Sequence, residues 1–420
     1  MHLRKVLVAA LGVEGVTVED ASVKNGALVF AVRPRKKERS RCSVCGKRCP
    51  GYDAGSGVRL WRAPDVGRTL VYIEASAPRV KCREHGVVVE RVPWARRAST
   101  FTRTFEDTVG WATKHMSKTA VGQLMRVAWA TVGAIVGRVV TDAKKGRDPL
   151  AGLKRIGIDE VSFRKGHKYL TVVIDHDTGK LVWAREGRDK KTLEAFFDDL
   201  GQERTRNLTH VSADAASWIG SVVEDRAAQA VLCIDPFHVV AWANEALDEV
   251  RRGVWNQARR GGQAEAAKEV KGSRYALVKN PENLTDNQRV RLGVLAKLNH
   301  PLYRAYLLKE LLRLAFAEKG EEGVQILAQW LAWAQRCRIP RFVELARRIR
   351  RHRAGIEASL RHRLSNGRVE ATNNQVRVIT RVAHGFHSAE ALISLMFLKL
   401  GGLKIDLPGR PNLMNHPRTS

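Results

Sequence analysis

The sequence predicts a multidomain α/β protein, and three observations carry that prediction. The first hundred residues alternate apolar and polar positions as strands do, and they hold two ligand-like pairs built on cysteine. Residues 155–235 interleave short apolar runs with helical stretches, and four of the runs lead into an aspartate. Residues 239–353 then carry Leu, Ala and Trp at three and four spacing almost without interruption. A length of 420 residues allows two or three domains, and 44% apolar content is enough to bury cores. Lys and Arg number 73 against 43 Asp and Glu, a formal charge of +30 that excludes an ordinary metabolic enzyme as the default. A polyanion is the natural partner, because a cationic surface releases the counterions condensed on nucleic acid. A ribosome-associated or membrane-surface protein is the alternative on charge alone. No apolar run approaches the ~18–20 residues needed to cross a bilayer, and the longest near the start, residues 6–13, is soon followed by Glu14, Glu19 and Asp20. The expected location is the cytoplasm, at the nucleoid.

Residues 1–98 read as a small β-rich module. Strands at 16–23 and 27–32 flank Asn25-Gly26, a dipeptide that reaches positive φ cheaply in a hairpin, and further strands are expected at 58–61 and 69–75. Cys42-Ser-Val-Cys45-Gly46 and Cys82-Arg-Glu-His85-Gly86 are each a C-x-x-C/H pair followed by glycine, separated by residues 46–81. Such short loops bring two donors to one tetrahedral ion, and thiolate with imidazole suits structural zinc. Cys49 competes as a fourth donor; Cys233 and Cys337 lie in apolar stretches and read as buried thiols. Residues 99–148 follow as three short helices beginning near Phe105, Ser117 and Ala130, with Ser117 a candidate N-cap. Their length is that of a helix-turn-helix, residues 129–143 being the helix that would read a major groove, although a plain helical bundle gives similar spacing.

The next segment, residues 150–238, has strands at 155–163, 169–174 and 181–185, a helix at 192–201, a strand at 208–213, a short helix, and a strand at 230–234. Short turns make the first three an antiparallel meander. A helical crossover then makes the fourth strand a parallel neighbour of the first, which is a ribonuclease-H-like arrangement. In that order Asp159, Asp214 and Asp235 share one edge while Asp175 belongs to a hairpin turn. Clustered carboxylates repel, so either their pKa values rise or a divalent cation holds them. Two ions ~4 Å apart would activate a water or 3′ hydroxyl for phosphodiester chemistry. The missing acid is sought beyond the helical insertion of residues 239–353, in residues 354–400. Glu370 fits, followed on neighbouring helix faces by Asn373, Asn374 and Arg377. Residues 401–420, with three prolines, read as a flexible tail.

Three stretches carry a family resemblance: Gly157-Ile-Asp159-Glu160 with Arg164-Lys-Gly-His167-Lys-Tyr169, Asp235-Pro-Phe-His238, and Asn366 through Glu370 and Arg377 to His384-Gly-Phe386. From Cys42 to about Leu400 the chain resembles bacterial insertion-sequence transposases of the ISL-three type, DDE enzymes with an N-terminal zinc-binding module, a helix-turn-helix and a ribonuclease-H-like core. The resemblance implies Asp159, Asp214 and Glu370 as catalytic acids holding magnesium or manganese. It makes Asp235 and His238 a D-x-x-H signature beside the active site, near Asn373 and Arg377. It implies zinc on Cys42, Cys45, Cys82 and His85, where His85 departs from the cysteine that many relatives carry. The partners implied are double-stranded DNA, as terminal inverted repeats and target, and a second copy of the chain, since pairing two ends needs at least a dimer.

Residues 341–363 add eight arginines and two histidines against Glu344 and Glu357. Arg347, Arg348, Arg350, Arg351 and Arg353 are the expected DNA contacts, offsetting repulsion between enzyme carboxylates and phosphates. Most of the insertion's tryptophans read as packing residues, one of them being a candidate to stack on an unpaired base. Two rivals remain at this stage. A regulator that only binds DNA through residues 1–150 would not need Asp159 or Glu370, and a nuclease of the same fold would cut without joining.

Overall fold

The computed structural model describes residues 8, 11–164, 166–383, 385–386 and 388–410. His384 and residues 411–420 of the expected tail lie outside them. The chain packs as two compact units, Met1–Pro149 with Ile379–Ser420, and Leu150–Val378.

In the first unit the strands are β1 (Val16–Lys24), β2 (Ala27–Pro34), β3 (Gly51–Asp53), β4 (Val58–Val66), β5 (Thr69–Ser76), β6 (Arg79–Cys82) and β7 (Gly86–Val89). β1 and β2 form the hairpin expected at Asn25-Gly26, whose φ values of 51° and 74° allow the tight turn. The larger sheet runs β1-β2-β5-β4 and the smaller β3-β6-β7. The larger sheet has its own core, in which Val16, Phe30 and Ile73 pack with Trp61 and Trp94, the two indoles meeting edge to face at 5.3 Å.

Three helices follow: α1 (Arg103–His115), α2 (Lys118–Met125) and α3 (Trp129–Lys145). The hydroxyls of Thr102 and Ser117 accept from Phe105 N and Ala120 N, satisfying orphan N–H groups at the two helix starts. α2 and α3 turn by 100° about Arg126, which sits in the left-handed region, and this crossing is that of a helix-turn-helix. α3 buries Val132, Ile135, Val136, Val139 and Val140, the three-and-four pattern of an inward face. Glu106 of α1 is fully buried and accepts hydrogen bonds from Ser99 and Arg138, both at 2.7 Å, and from Arg96 at 3.2 Å. A buried carboxylate is tolerated because cations and a hydroxyl meet its oxygens. The C-terminal helix Ala389–Leu400 also packs here: Lys144 Nζ lies 3.1 Å above the Phe397 ring, and Lys399 donates to Lys114 O at 3.0 Å. Among the described residues no single helix is long and apolar enough to cross a membrane.

In the second unit β8 (Arg155–Arg164), β9 (Lys168–Asp175) and β10 (Leu181–Glu186) form the antiparallel meander. α4 (Lys190–Leu200) and α5 (Gln202–Thr205) lead to β11 (His210–Ala213), parallel to β8. α6 (Ser217–Arg226) leads to β12 (Val231–Ile234), parallel to β11, so the sheet order is β10-β9-β8-β11-β12. β8 pairs with β9 out to Arg164, one residue past the expected 155–163, and Asp159 lies within the strand. Asp175 occupies the β9–β10 turn, accepting from Asp177 N and Thr178 Oγ1 at 2.9 and 2.6 Å.

The helical stretch comprises α7 (Pro236–Arg260), α8 (Ala264–Gly272), α9 (Arg274–Val278), α10 (Asp286–Leu298), α11 (His300–Glu318), α12 (Gly320–Arg336), α13 (Pro340–Arg351) and α14 (Arg353–His362). Its core holds Trp330, which is fully buried and donates Nε1–H to Leu308 O at 2.8 Å. α15 (Gly367–Val382) follows and carries Glu370.

Candidate active site and metal centre

Two constellations stand out, one in each unit. In the first unit, Cys42, Cys45, Cys82 and His85 place one ligand atom each within 4.8 Å of all the others. Cys45 Sγ and Cys82 Sγ are 3.8 Å apart, and His85 Nδ1 lies 3.8 and 3.5 Å from Cys42 Sγ and Cys82 Sγ. A tetrahedral ion with ~2.3 Å arms to sulfur requires edges near ~3.8 Å, and these three separations match that spacing, so the donor set fits zinc. The turns that deliver them depend on Gly46 and Gly86, at φ 71° and 66°. Hydrogen bonding to His85 lowers the Cys82 thiol to about 6, favouring the thiolate that a metal needs. Cys49 lies beside this cluster without joining the four donors, its thiol donating to Lys47 O at 3.4 Å.

In the second unit the sheet edge gathers acids. Asp159 on β8 feels the charges of Asp214, just beyond β11, and of Asp235, just beyond β12, both of which disfavour its ionisation. Asp159 Oδ1 accepts from Glu160 N and Oδ2 from Asn373 Nδ2, both at 2.7 Å, which ties β8 to the helix bearing Glu370. Asp214 Oδ1 accepts from Ala216 N at 3.0 Å. Asp235 caps α7 through Phe237 N at 3.4 Å, and its other oxygen lies 3.9 Å from His238 Nε2. Glu370 is exposed in the first turn of α15, with Asn373 almost wholly buried and Arg377 exposed and donating to Asn374 at 2.8 Å. Among the described residues these carboxylates do not converge as closely as the four zinc-type donors do.

Docking of α15 follows from small residues and a polar chain. A Cβ on Gly157 would come within 2.4 Å of Val369 Cγ2, so glycine two residues before Asp159 lets the helix approach β8. Asn366, 2% exposed, donates Nδ2–H to Ile158 O at 3.3 Å and its backbone N–H to Asp235 Oδ1 at 3.2 Å. Ser212 donates to Asn366 Oδ1 and meets His176 Nε2 at 2.6 Å. Burial holds His176 down at about 4, so it stays neutral in this network.

Glu160 is the site residue that sequence reasoning missed, quoted in a motif but given no role. Its side chain is 8% exposed, its Oε2 pairs with Arg188, and its Oε1 is buried with no partner. Burial raises it to about 7 and raises Asp159 to about 6. Its signal in the sequence was a second acid directly after Asp159.

The raised pKa of Asp159 has a stability consequence. A carboxyl that holds its proton to about 6 when folded, against ~3.9 unfolded, stabilises the fold below pH ~4 and loses that contribution as pH climbs through about 6. In metal-free buffer we expect the second unit to lose on the order of 3 kcal/mol between pH 4 and 7 from this group. Asp159→Asn should lessen the fall in urea titrations followed across that range, leaving the part due to Glu160. A wild-type profile already matching the variant would refute the buried, proton-holding carboxyl.

On the expected DNA-contacting strip, Phe342, Leu345, Ala346 and Ile349 bury one face of α13, and Arg347, Arg348, Arg350, Arg351 and Arg353 are all exposed. Two of them are engaged already: the Arg348 guanidinium lies 3.7 Å over the Trp242 ring, and Arg353 pairs with Glu357 at 2.5 Å.

Comparison with known proteins agrees with this layout. Residues 156–396 match a family described as transposase, spanning the sheet, the helical stretch and α15. The chain belongs to the ISL3 family of DDE transposases. Residues 90–140 match the helix-turn-helix domain of transposase family ISL3, and residues 38–85 match the zinc finger of transposases IS204, IS1001, IS1096 and IS1165. The transposase for insertion sequence element IS1557 of Mycobacterium tuberculosis is 53% identical over 97% of this chain and 96% of its own length. The transposase for insertion sequence element IS1001 of Bordetella parapertussis is 29% identical over 86% and 87%. Membership in this family makes the chain a transposase with a DNA-binding helix-turn-helix, and the zinc-finger match accords with the Cys/His cluster.

Proposed function

We propose that the chain binds the terminal inverted repeats of its insertion sequence, cuts a strand at each end, and transfers the 3′ ends into target DNA from a ribonuclease-H-like core. The observation that carries this is the sheet order: β8, β11 and β12 are adjacent and parallel, and their register sets Asp159, within β8, level with Asp214 and Asp235 just beyond β11 and β12. Asp159, Asp214 and Glu370 are the catalytic acids. The donor chemistry fits magnesium or manganese, since carboxylates here stand beside two buried oxygens without partners, Glu160 Oε1 and Asn373 Oδ1. A divalent cation at such a site supplies Lewis acidity to a phosphodiester and lowers the pKa of an attacking hydroxyl.

The residues divide the remaining work. Asn373 orients Asp159, Asn366 fixes the start of α15, and Asp235 with His238 lies beside the acids. Arg347, Arg348, Arg350, Arg351 and Arg353 receive phosphates, with Arg377 a further cation on the Glu370 helix. Zinc on Cys42, Cys45, Cys82 and His85 stiffens the module of residues 1–98, and residues 99–148 read the repeat. Residues 150–238 and, of the expected 354–400, the part up to Val378 form the interrupted core around the insertion of residues 239–353, since the chain from Ile379 onward, with the helix Ala389–Leu400, packs in the first unit. At least a dimer acts during reaction, since two ends must be joined together.

The test is a labelled element end incubated with the full chain, magnesium and target plasmid. Label joined covalently to the target is the expected product. Cutting without joining would favour the nuclease reading, and binding without either reaction would favour a regulator.

A further inference from the structure

The sequence offers the insertion's tryptophans as stacking partners for an unpaired base, but the structure occupies them. Trp330 is buried, Trp242 and Trp255 lie under Arg348 and Arg259, and Trp333 packs against the core. Among the described residues the open aromatic beside the acids is Phe237, 61% exposed and two residues beyond Asp235. It lines a cavity of about 250 Å³ whose other walls include Phe316 and Leu364, with Lys319 and Arg363 also lining it and Asp235 and Glu370 on its boundary.

We infer that this cavity receives one nucleobase unpaired from the duplex beside the cleaved phosphate, stacked on Phe237, with Lys319 and Arg363 holding the flanking phosphates. The inference deepens the proposed function and rests on its placement of the scissile bond at Glu370. Its chemistry selects the ligand. An open aromatic face calls for a planar apolar surface, and two cations call for anions beside it, a combination that a nucleotide provides. The volume lies below the ~300–1,000 Å³ of drug-sized sites. A paired base has its faces covered in the stack, so the occupant must leave it.

The two cations stand where other residues would be easier to accommodate. Lys319 ends α11 at φ 59° and Arg363 ends α14 at φ 52°, left-handed positions that glycine fills without strain. Long basic side chains at both points, facing one cavity, match a phosphate-holding role better than a helix-ending one.

The test is a binding cycle on element-end duplexes that lack one base at a time across the cleaved phosphate, using full-length Asp214→Asn protein so that no strand is cut. With intact DNA, adding Phe237→Ala should weaken binding about tenfold, and Phe237→Trp should restore it. On the one duplex missing the captured base, the Phe and Ala proteins should bind alike. An alanine penalty of the same size on every duplex, or none on intact DNA, overturns the inference. Cleavage by the wild type is scored separately. A base-dependent penalty without cleavage would sink the catalytic reading and keep the cavity, while cleavage without it would do the reverse.

Discussion

Chelation of zinc, or Cys42→Ser, is expected to unfold the segment around β6 and β7 while the larger sheet of the first unit stays folded. Structural zinc in small Cys/His modules contributes ~10–16 kcal/mol of apparent binding free energy at pH 7, more than most domains have in total. The smaller sheet has little else. β3 offers three exposed residues, β6 and β7 four residues each, and of these only Val80 and Cys82 are buried. The larger sheet has an independent core around Trp61, Ile73 and Trp94. Hydrogen exchange should therefore show β6 and β7 losing protection on chelation while β1, β2 and β5 keep theirs. Zinc content should fall from one ion per chain to none in Cys42→Ser and be unchanged in Cys49→Ser, whose thiol bonds to Lys47 O. Loss of zinc from Cys49→Ser, or unaltered exchange after chelation, would refute the four-residue centre.

Local signals in the sequence carried most of the architecture. Asn25-Gly26 announced its hairpin, Ser117 its helix, and the alternation of strand and helix from 155 to 234 the five-stranded order, because each depends on backbone preference or hydrophobic period within a few residues. What stayed hidden depends on residues distant in the chain. The polar chain from His176 through Ser212 to Asn366 links three separate segments, and none of its members looks unusual in its own neighbourhood. Glu160 shows a second kind of gap: burial, invisible in the chain, pushes an acid with no role legible in the sequence up to about 7.

Asp214→Asn is expected to abolish cleavage of an element end, by at least ~10²–10³-fold, while leaving the protein folded and bound to DNA. The substitution is nearly isosteric, and the amide oxygen can still accept the hydrogen bond from Ala216 N that Asp214 accepts in this turn. What disappears is a negative charge beside Asp159. Burial is the main reason that Asp159 resists ionisation, and the Asp214 charge adds to it, so in the absence of a cation that charge works against folding. Removing it should leave the metal-free protein as stable as the wild type or more so, with the chemistry gone. A structural aspartate would behave oppositely, losing stability when changed and retaining turnover in whatever fraction stays folded. Measured side by side, urea midpoints and single-turnover cleavage separate the two roles. Wild-type cleavage by the asparagine variant would remove Asp214 from the catalytic set and shift attention to Asp235, the other acid at that edge.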